Sequence, residues 1–145
     1  MSAVLENKPD SSWNIVAAKD IEEVWPYIVD GIALALETSE GEATPEDTKA
    51  GLLAGRTQLA LMYEGGATVG AVFTMLDYPQ FRIARVLLLF GKGMLEAREM
   101  MEAAEQWAKS KGCRYIEGWV ATGSRRRLFS RFGYRDAYTI VRKAL

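Results

Sequence analysis

The sequence lacks histidine entirely and contains a single cysteine, Cys113, among its 145 residues. Without histidine, the protein has neither the commonest general base nor the commonest metal ligand. A Ser/His/Asp triad and a Cys/His pair are therefore excluded as nucleophilic machinery. One cysteine allows no intramolecular disulfide and no cysteine metal cluster. We therefore expect no metal site.

The sequence also lacks long apolar segments and a large net charge. The first twelve residues, MSAVLENKPDSS, carry no apolar signal core, and no run reaches membrane-spanning length. We therefore expect a cytoplasmic protein without a membrane partner, and a viral protein made in a bacterial cytoplasm would look the same. The 18 basic and 19 acidic residues give a net charge of −1, so any surface that attracts nucleic acid must be local.

The length predicts one domain, residues 13–145, preceded by a flexible polar arm at residues 1–12. Residues 13–18 are predicted to form a first strand. A helix follows, with Asp20 and Glu23 as a capping box and one apolar face. Pro26 is expected to kink this helix or to split off its first turn.

The pattern then predicts a second helix, three antiparallel strands and a return to alternating helices and strands. Thr44 caps the second helix, which runs to about Leu53. The strands are residues 58–63, 69–76 and 81–90, and the last is apolar on both faces, as expected of a central strand. The remaining elements are a helix at 94–111 ended by Gly112, a strand at 114–120, a short helix capped by Ser124 and closed by Gly133, and a final strand from Tyr134.

This order of elements, with the stretches AEQWAKSKGC and LFSRFGY each leading into a strand, resembles the GCN5-related N-acetyltransferase (GNAT) superfamily. The likeness spans residues 13–145 and is most specific in the C-terminal half. It implies an α/β fold with a mixed, mainly antiparallel sheet flanked by helices. It also implies that strands near Val86–Phe90 and Tyr115–Val120 splay apart, that acyl-CoA enters the gap, and that the pyrophosphate binds at the N-terminus of the following helix.

In that family, the pyrophosphate loop reads Arg or Gln, two residues, Gly, one residue, then Gly or Ala. The matching residues here are Lys92, Gly93, Met94, Leu95, Glu96 and Ala97. Leu95 replaces the central glycine that lets phosphate approach the backbone amides, and Glu96 adds a negative charge. The resemblance therefore implies a degenerate acyl-CoA loop, and a plain strand-to-helix turn with two glycines is the alternative.

A second family pattern places a tyrosine that protonates the departing CoA thiolate. The matching positions are Thr122, Arg125, Leu128, Phe129, Gly133 and Tyr134. Phe129 stands where the tyrosine would be and has no proton to give, so we expect it to serve packing. Glu117 is the best-placed carboxylate for a general base, with Asp77 as another candidate. Tyr115, Glu117 and Trp119 share one strand face, which a solvated or packed face also explains.

Arg125, Arg126 and Arg127 occupy the first turn of the short helix, where cations oppose the helix dipole. An anion is the natural compensation, because free helix amides and guanidinium groups bind the same ligand. The candidates are a phosphate of CoA, an acidic partner protein and, ranked lowest, nucleic acid. The alternative is that these arginines pair with Asp or Glu elsewhere in the domain or stay solvated.

Two hypotheses for function follow. In the first, a GNAT-like protein with a degenerate acyl-CoA site and no cofactor acts as a binding or assembly module, with a protein partner or as a homo-oligomer. Short chains of this kind resemble ones encoded by bacteriophages, which implies a virion or assembly role. In the second, the protein is an active N-acyltransferase that uses acetyl-CoA in an atypical site.

Overall fold

The computed structural model describes residues 12–64, 67–91, 94–121 and 123–145. The predicted arm lies outside these residues, except for Ser12, which begins the first strand. The five strands are β1 (Ser12–Val16), β2 (Gln58–Glu64), β3 (Ala67–Asp77), β4 (Arg82–Phe90) and β5 (Cys113–Gly118). The four helices are α1 (Ile21–Leu36), α2 (Pro45–Leu53), α3 (Met94–Ser110) and α4 (Gly123–Arg131).

The strands form one open sheet in the order β1-β2-β3-β4-β5. All neighbouring pairs are antiparallel except β4 and β5, which run parallel. The parallel pair requires a crossover, and α3 supplies it. The fold is therefore the mixed, mainly antiparallel α/β architecture that the sequence predicts.

The sheet separates two hydrophobic clusters, one on each face. Alternation along β2 directs Leu59 and Leu61 to the cluster under α1 and α2, where Ile28 and Ile32 of α1 are buried. The intervening Ala60 and Met62 point to the cluster under α3, which contains Met100 and Trp107. The predicted apolar face of α1 thus holds that helix on one side of the sheet, and the buried side chains of α3 cover the other side.

The two predicted capping boxes have different outcomes. At α2, Asp47 N donates to Thr44 Oγ1 at 3.1 Å and Thr44 N donates to Asp47 Oδ2 at 2.9 Å, which confirms the prediction. At α1, Asp20 makes no capping hydrogen bond, so the prediction is wrong. A 3₁₀ turn at Ala18–Asp20 already gives Asp20 a helical backbone, whereas a capping side chain needs an extended one.

Of the two effects expected of Pro26, the splitting off of the first turn does not occur, because the helix is continuous from Ile21 to Leu36. A kink at Pro26 stays a prediction. Proline removes the hydrogen bond that would reach the carbonyl of Glu22. Pro26 and Glu22 both lie on the exposed face, so water can solvate that carbonyl. The cost of the missing bond is correspondingly small.

The final predicted strand and the predicted start of the last helix need correction. Helix α4 begins at Gly123, so Ser124 lies inside its first turn instead of capping it. Residues 134–145 contain neither helix nor strand. Arg142 near the end of this segment donates to Glu40 Oε2 at 2.6 Å and Glu42 Oε1 at 2.9 Å, between α1 and α2. These long-range pairs connect the end of the segment to the loop between α1 and α2.

The pairing of β4 with β5 stops before the end of β4, at the place where the resemblance implies a splay. The last paired residues are Val86 and Gly118, where β5 ends, whereas β4 continues to Phe90. On its other side, β4 stays paired with β3 as far as Phe90, which lies opposite Gly70. We refer to the region beside residues 87–90, where β4 has no partner among the described strands on its β5 side, as the splay or gap.

The ring of Phe90 fixes this end of β4 because it occupies the space left by two glycines. A Cβ built on Gly70 would stand 2.2 Å from Phe90 Cζ, and one on Gly31 of α1 would stand 3.0 Å from Phe90 Cδ2. Both distances are below ordinary van der Waals contact. The close approach of β3, β4 and α1 thus depends on glycine at these positions.

We predict that Gly70→Ala destabilises the protein by about 1–3 kcal/mol, because the new methyl group must displace the buried Phe90 ring. Chemical denaturation measures the change. Gly118→Ala in β5 is the matched control, since its Cβ would meet Val86 O at an acceptable 3.4 Å. Equal losses in the two variants would contradict the proposed role of the Phe90 contact.

Candidate functional site

A cluster of polar and aromatic side chains lies on β4 and β5 just before the splay. Arg85 of β4 lies opposite Glu117 of β5, with Arg85 Nη2 at 3.5 Å from Glu117 Oε2. The same Nη2 donates to the Tyr78 hydroxyl at 3.1 Å. The guanidinium carbon of Arg85 lies 5.3 Å from the centre of the Trp119 ring. Arg85 therefore connects the candidate base to two aromatic side chains.

Glu117, the predicted general base, thus lies at the base of the splay with a cation beside it. Its carboxylate is about one-third exposed. The carboxylate therefore already has a cationic partner at 3.5 Å. Arg85 itself is largely buried, and its Nε has no hydrogen-bond partner among the residues that the structure describes.

Tyr115 shares this strand face, but it packs against the β3–β4 hairpin. Its ring centre lies 5.2 Å from that of Phe81 in an edge-to-face arrangement, and Arg114 stacks on both rings. The face that carries Tyr115, Glu117 and Trp119 is therefore partly packed and partly solvated. The sequence left these two explanations open, and each describes one part of the face.

Asp77, the other carboxylate candidate, lies at the opposite end of β4 from the splay. It pairs with Arg82, whose Nε donates to Asp77 Oδ1 at 2.6 Å. This hydrogen bond lowers the pKa of Asp77 below its ordinary value, despite the opposing effect of partial desolvation. A weaker base, held away from the gap by Arg82, is poorly placed to deprotonate a substrate amine there.

The predicted pyrophosphate loop is only partly covered by the structure. Lys92 and Gly93 lie outside the described residues. Met94 and Ala97 lie in the first turn of α3, of which the structure describes the backbone. Helix α3 therefore begins directly after β4, at the gap, as predicted. The degeneracy of the loop at Leu95 stays a prediction from the sequence.

Phe129 packs with other aromatic side chains at the end of α4. Its ring centre lies 5.2 Å from that of Tyr134 and 6.4 Å from that of Phe132, both edge-to-face. Arg98 of α3 stacks on Phe132 at 5.0 Å. All three rings are half-buried, so the packing role expected of Phe129 fits a helix that lies at the margin of the core.

Tyr134, whose ring packs against Phe129, uses its hydroxyl in a structural hydrogen bond. The Tyr134 hydroxyl donates to Glu105 Oε2 of α3 at 3.0 Å. Burial raises the pKa of Tyr134 far above its ordinary value, and the negative charge and hydrogen bond of Glu105 raise this pKa further. The sequence placed Tyr134 at the start of a strand and gave no sign of this contact, because Glu105 is distant along the chain.

The three consecutive arginines of α4 do not act alike. Arg126 pairs with Asp136 of the following segment, and its Nε donates to Asp136 Oδ1 at 3.1 Å. Arg127 bends back over the first turn, since its Nη1 lies 3.4 Å from the site of a Cβ on Gly123. A shallow pocket of about 360 Å³ opens on this helix, lined by Ser124, Arg125, Arg127, Leu128 and Arg131.

Sequence reasoning missed the residue that organises the cluster, Arg85. The signal was present, since Arg85 is a cation inside the apolar strand FRIARVLLLF, where an unpaired charge would be costly. Cys113 at the start of β5 is no activated nucleophile, because burial raises the pKa of its thiol.

Two properties of the described residues concern metal ions and membranes as possible partners. Within the four described ranges, no group of three or more acidic or cysteine side chains is arranged to hold a metal ion. Among the described helices, none has the length and apolar character needed to cross a bilayer.

We predict that Tyr134→Phe lowers the free energy of unfolding by about 1 kcal/mol at neutral pH, through loss of the hydrogen bond to Glu105. Since folding raises the pKa of Tyr134, this stabilisation is complete below the pKa of an unfolded tyrosine, about 10, and declines as the pH rises above it. Urea denaturation of both proteins across this range measures the difference. Tyr138→Phe, at a 93% exposed ring, is the control. Equal stability of Tyr134→Phe and the natural chain at neutral pH would show the hydrogen bond to be unimportant, and a pH-independent difference would contradict the raised pKa.

Comparisons with known proteins show the fold and leave the sequence without a match. No protein-family model matches the chain, and no curated protein does. A ribosomal-protein-alanine N-acetyltransferase from Brucella melitensis biovar Abortus 2308 superposes with a TM-score of 0.71 at 10% identity, over 92% of this chain and 99% of that one. The aminoglycoside acetyltransferase meta-AAC0020, from an uncultured soil metagenomic sample, gives 0.69 at 12% identity, over 92% and 95%. The aminoglycoside N-acetyltransferase AAC(6')-Iy, solved with CoA, gives 0.64 at 13% identity, over 94% and 97%. The chain therefore has the GNAT acetyltransferase fold, in a divergent form.

Proposed function

We propose that this protein is a GNAT-fold binding module whose acyl-CoA site no longer supports efficient acyl transfer. The proposal rests on the two side chains that could act as the proton donor for the departing thiolate. Phe129, which has no hydroxyl, takes the position of the thiolate-protonating tyrosine. The adjacent phenol, Tyr134, already donates to Glu105. Neither group supplies a proton to a departing thiolate.

The pairing of both candidate carboxylates with arginines supports the same proposal. Glu117 is paired with Arg85, and Asp77 is bound to Arg82 at the opposite end of β4 from the gap. An amine substrate needs a group that accepts its proton before it attacks a thioester. Both candidates are instead engaged with cations, which is the arrangement expected where carboxylates serve structure.

The binding surface in this proposal is the exposed side of α4. Arg127 and Arg131, together with Arg125, line its pocket and concentrate positive charge at a helix whose first turn has no acidic residue. A carboxylate of an acidic partner protein, or a phosphate, fits this chemistry. Arg126 contributes less than the sequence predicts, since it is paired with Asp136. In a virion or assembly role, another component of the assembly would bind this surface. That role rests on the resemblance to bacteriophage-encoded chains.

The second candidate function is an acetyl-CoA-dependent N-acyltransferase with an atypical site. It is favoured by the near-complete coverage of solved acetyltransferases, including one solved with CoA. Proximity alone supplies much of the rate of an aligned thioester and amine. In this case the cluster of Arg85, Glu117 and Trp119 would contact the acceptor.

We predict that the purified protein releases no CoA from acetyl-CoA above the buffer rate when it is offered peptide N-termini, polyamines or aminoglycosides. Free thiol measured with a chromogenic disulfide reports the reaction. Phe129→Tyr is the informative variant, because it restores the hydroxyl without changing the size of the ring. We expect it to be inactive too, since the proposal places a second loss in the acyl-CoA loop.

Turnover by the natural chain would contradict the binding-module proposal and favour the enzyme. Turnover by Phe129→Tyr alone would show that acetyl-CoA binds and that only the proton donor is missing. Acetylation must be stoichiometric with thiol release in either case, which mass spectrometry of the acceptor establishes.

We predict that replacing Arg125, Arg126 and Arg127 together by alanine changes the free energy of unfolding by less than about 1 kcal/mol, because exposed ion pairs contribute little. The same variant loses the stabilisation that inorganic pyrophosphate gives to the natural chain at low salt. Thermal unfolding with and without pyrophosphate, at two ionic strengths, measures both effects.

The matched control removes three exposed cations elsewhere, Lys19, Arg56 and Lys109. It changes the net charge equally but leaves α4 intact, so its response to pyrophosphate is retained. Unfolding of the arginine variant would instead show that these side chains hold the domain together. Equal loss of the pyrophosphate response in both variants would show that this response depends on net charge alone and not on α4.

A further inference from the structure

Three aromatic side chains are exposed on the part of the sheet surface that runs from the β3–β4 hairpin along β5. Tyr78 in the hairpin is 44% exposed, and Tyr115 in β5 is 43% exposed. Trp119, which directly follows β5, is 62% exposed. We call these three residues the aromatic platform. Large aromatic side chains that are exposed next to one another mark an interaction site more often than an ordinary surface.

Contacts within the domain hold the rings of the aromatic platform in place. The Phe81 ring packs edge-to-face against Tyr78 and Tyr115, with ring centres 5.6 and 5.2 Å apart. Arg85 donates a hydrogen bond to the Tyr78 hydroxyl, and its guanidinium carbon lies 5.3 Å from the centre of the Trp119 ring. The three rings therefore form one surface. A ligand that stacks on them loses little affinity to the ordering of side chains.

The charges around the aromatic platform nearly cancel. Arg82 donates to Asp77 at 2.6 Å, and Arg85 lies 3.5 Å from Glu117. Arg114 is the third arginine of this surface, and its guanidinium stacks on aromatic rings. A phosphate chain gains most of its affinity from cations that it neutralises, and two of these three cations already have carboxylate partners. The platform is therefore poorly suited to nucleic acid.

Glu117, which lies between Tyr115 and Trp119 along the chain, keeps its capacity to accept hydrogen bonds. Its carboxylate is about one-third exposed, and none of the described residues donates a hydrogen bond to it. The 3.5 Å separation from Arg85 exceeds the length of a charge-assisted hydrogen bond, about 2.8 Å. A carboxylate and a guanidinium group thus lie side by side next to exposed rings, and together they can accept from one hydroxyl group and donate to another.

We propose that the aromatic platform binds a neutral oligosaccharide. The C–H faces of its sugar rings pack on Tyr115 and Trp119, and its hydroxyl groups donate to Glu117. An anionic ligand would be repelled by Glu117 and a cationic ligand by Arg85, whereas a neutral sugar is repelled by neither. A sugar also combines an apolar face with a rim of hydroxyl groups, and the platform presents the complement of both.

This inference goes beyond the binding-module proposal, which concerns α4, and it holds for either candidate function. The platform begins at Tyr78, beside Asp77, at the opposite end of β4 from the gap. The ligand needs no amino group and no acyl-CoA. A failure of the proposed function would therefore leave the inference standing, and the reverse is also true.

Saturation-transfer NMR tests the inference with three neutral hexasaccharides at millimolar concentration, namely cellohexaose, chitohexaose and mannohexaose. The protein is the natural full-length chain, and its aromatic protons are irradiated. We expect transfer to at least one of the three sugars. The transfer should be strongest at the C–H protons of one face of the sugar ring, because that face packs on the platform.

Two variants assign the signal to the platform. Trp119→Ala removes a stacking surface and is expected to weaken binding about tenfold. Glu117→Gln keeps the shape of the side chain but removes its charge, so it is expected to weaken binding several-fold while the fold is retained. Tyr27→Ala, which removes a 48% exposed ring from α1, is the matched control and leaves binding unchanged. Thermal unfolding of each variant confirms that it is folded.

The absence of transfer to all three hexasaccharides would overturn the proposal. Sugar binding that is unchanged in both Trp119→Ala and Glu117→Gln would overturn it equally, because the sugar would then bind elsewhere. Binding of hexauridylate, lost in Trp119→Ala, in place of the sugars would identify the platform as a nucleic-acid surface. A mass of twice the 16.1 kDa chain by light scattering, halved in Trp119→Ala, would show that a second copy covers the platform, and would also overturn the proposal.

Discussion

The packing of Phe90 against Gly70 is the constraint on which the geometry of the site depends. The ring fills the space that a side chain on Gly70 would need, and it also lies close to Gly31 of α1. The end of β4 is therefore held to β3 and α1, while β5 keeps its pairing only as far as Gly118. Core packing thus holds the β4 side of the gap in place.

The groups around this gap are engaged with one another. Arg85 pairs with Glu117, and the Tyr134 hydroxyl is held by Glu105. The ring of Phe129 packs against Tyr134 and Phe132. These contacts occupy side chains that acyl transfer would need, which is why we propose a binding role for a fold shared with acetyltransferases. The positive surface of α4 is the binding surface in that proposal.

Sequence reasoning predicted the elements that depend on local pattern. The apolar spacing of α1, the Thr44 capping box and the strand–helix–strand order around α3 are confirmed. It failed where distant residues decide. The segment expected to form a strand after Tyr134 lies in no sheet, and its Arg142 pairs with Glu40 and Glu42, about a hundred positions earlier. The position of Arg85 inside an apolar strand indicated a special role. Its partners could not be read from the sequence, because they come from a different strand and from a turn.

Calorimetric titration with acetyl-CoA tests the central claim most directly, because binding precedes any chemistry at the gap. The account predicts no saturable heat at micromolar protein and ligand concentrations. It also predicts no rise in melting temperature at millimolar acetyl-CoA beyond the rise that the same concentration of inorganic pyrophosphate gives. A functional site would be obvious, since ligand at 100 times its dissociation constant adds about 2.7 kcal/mol of stability. A micromolar dissociation constant would contradict the account and would establish the gap as a working acyl-CoA site.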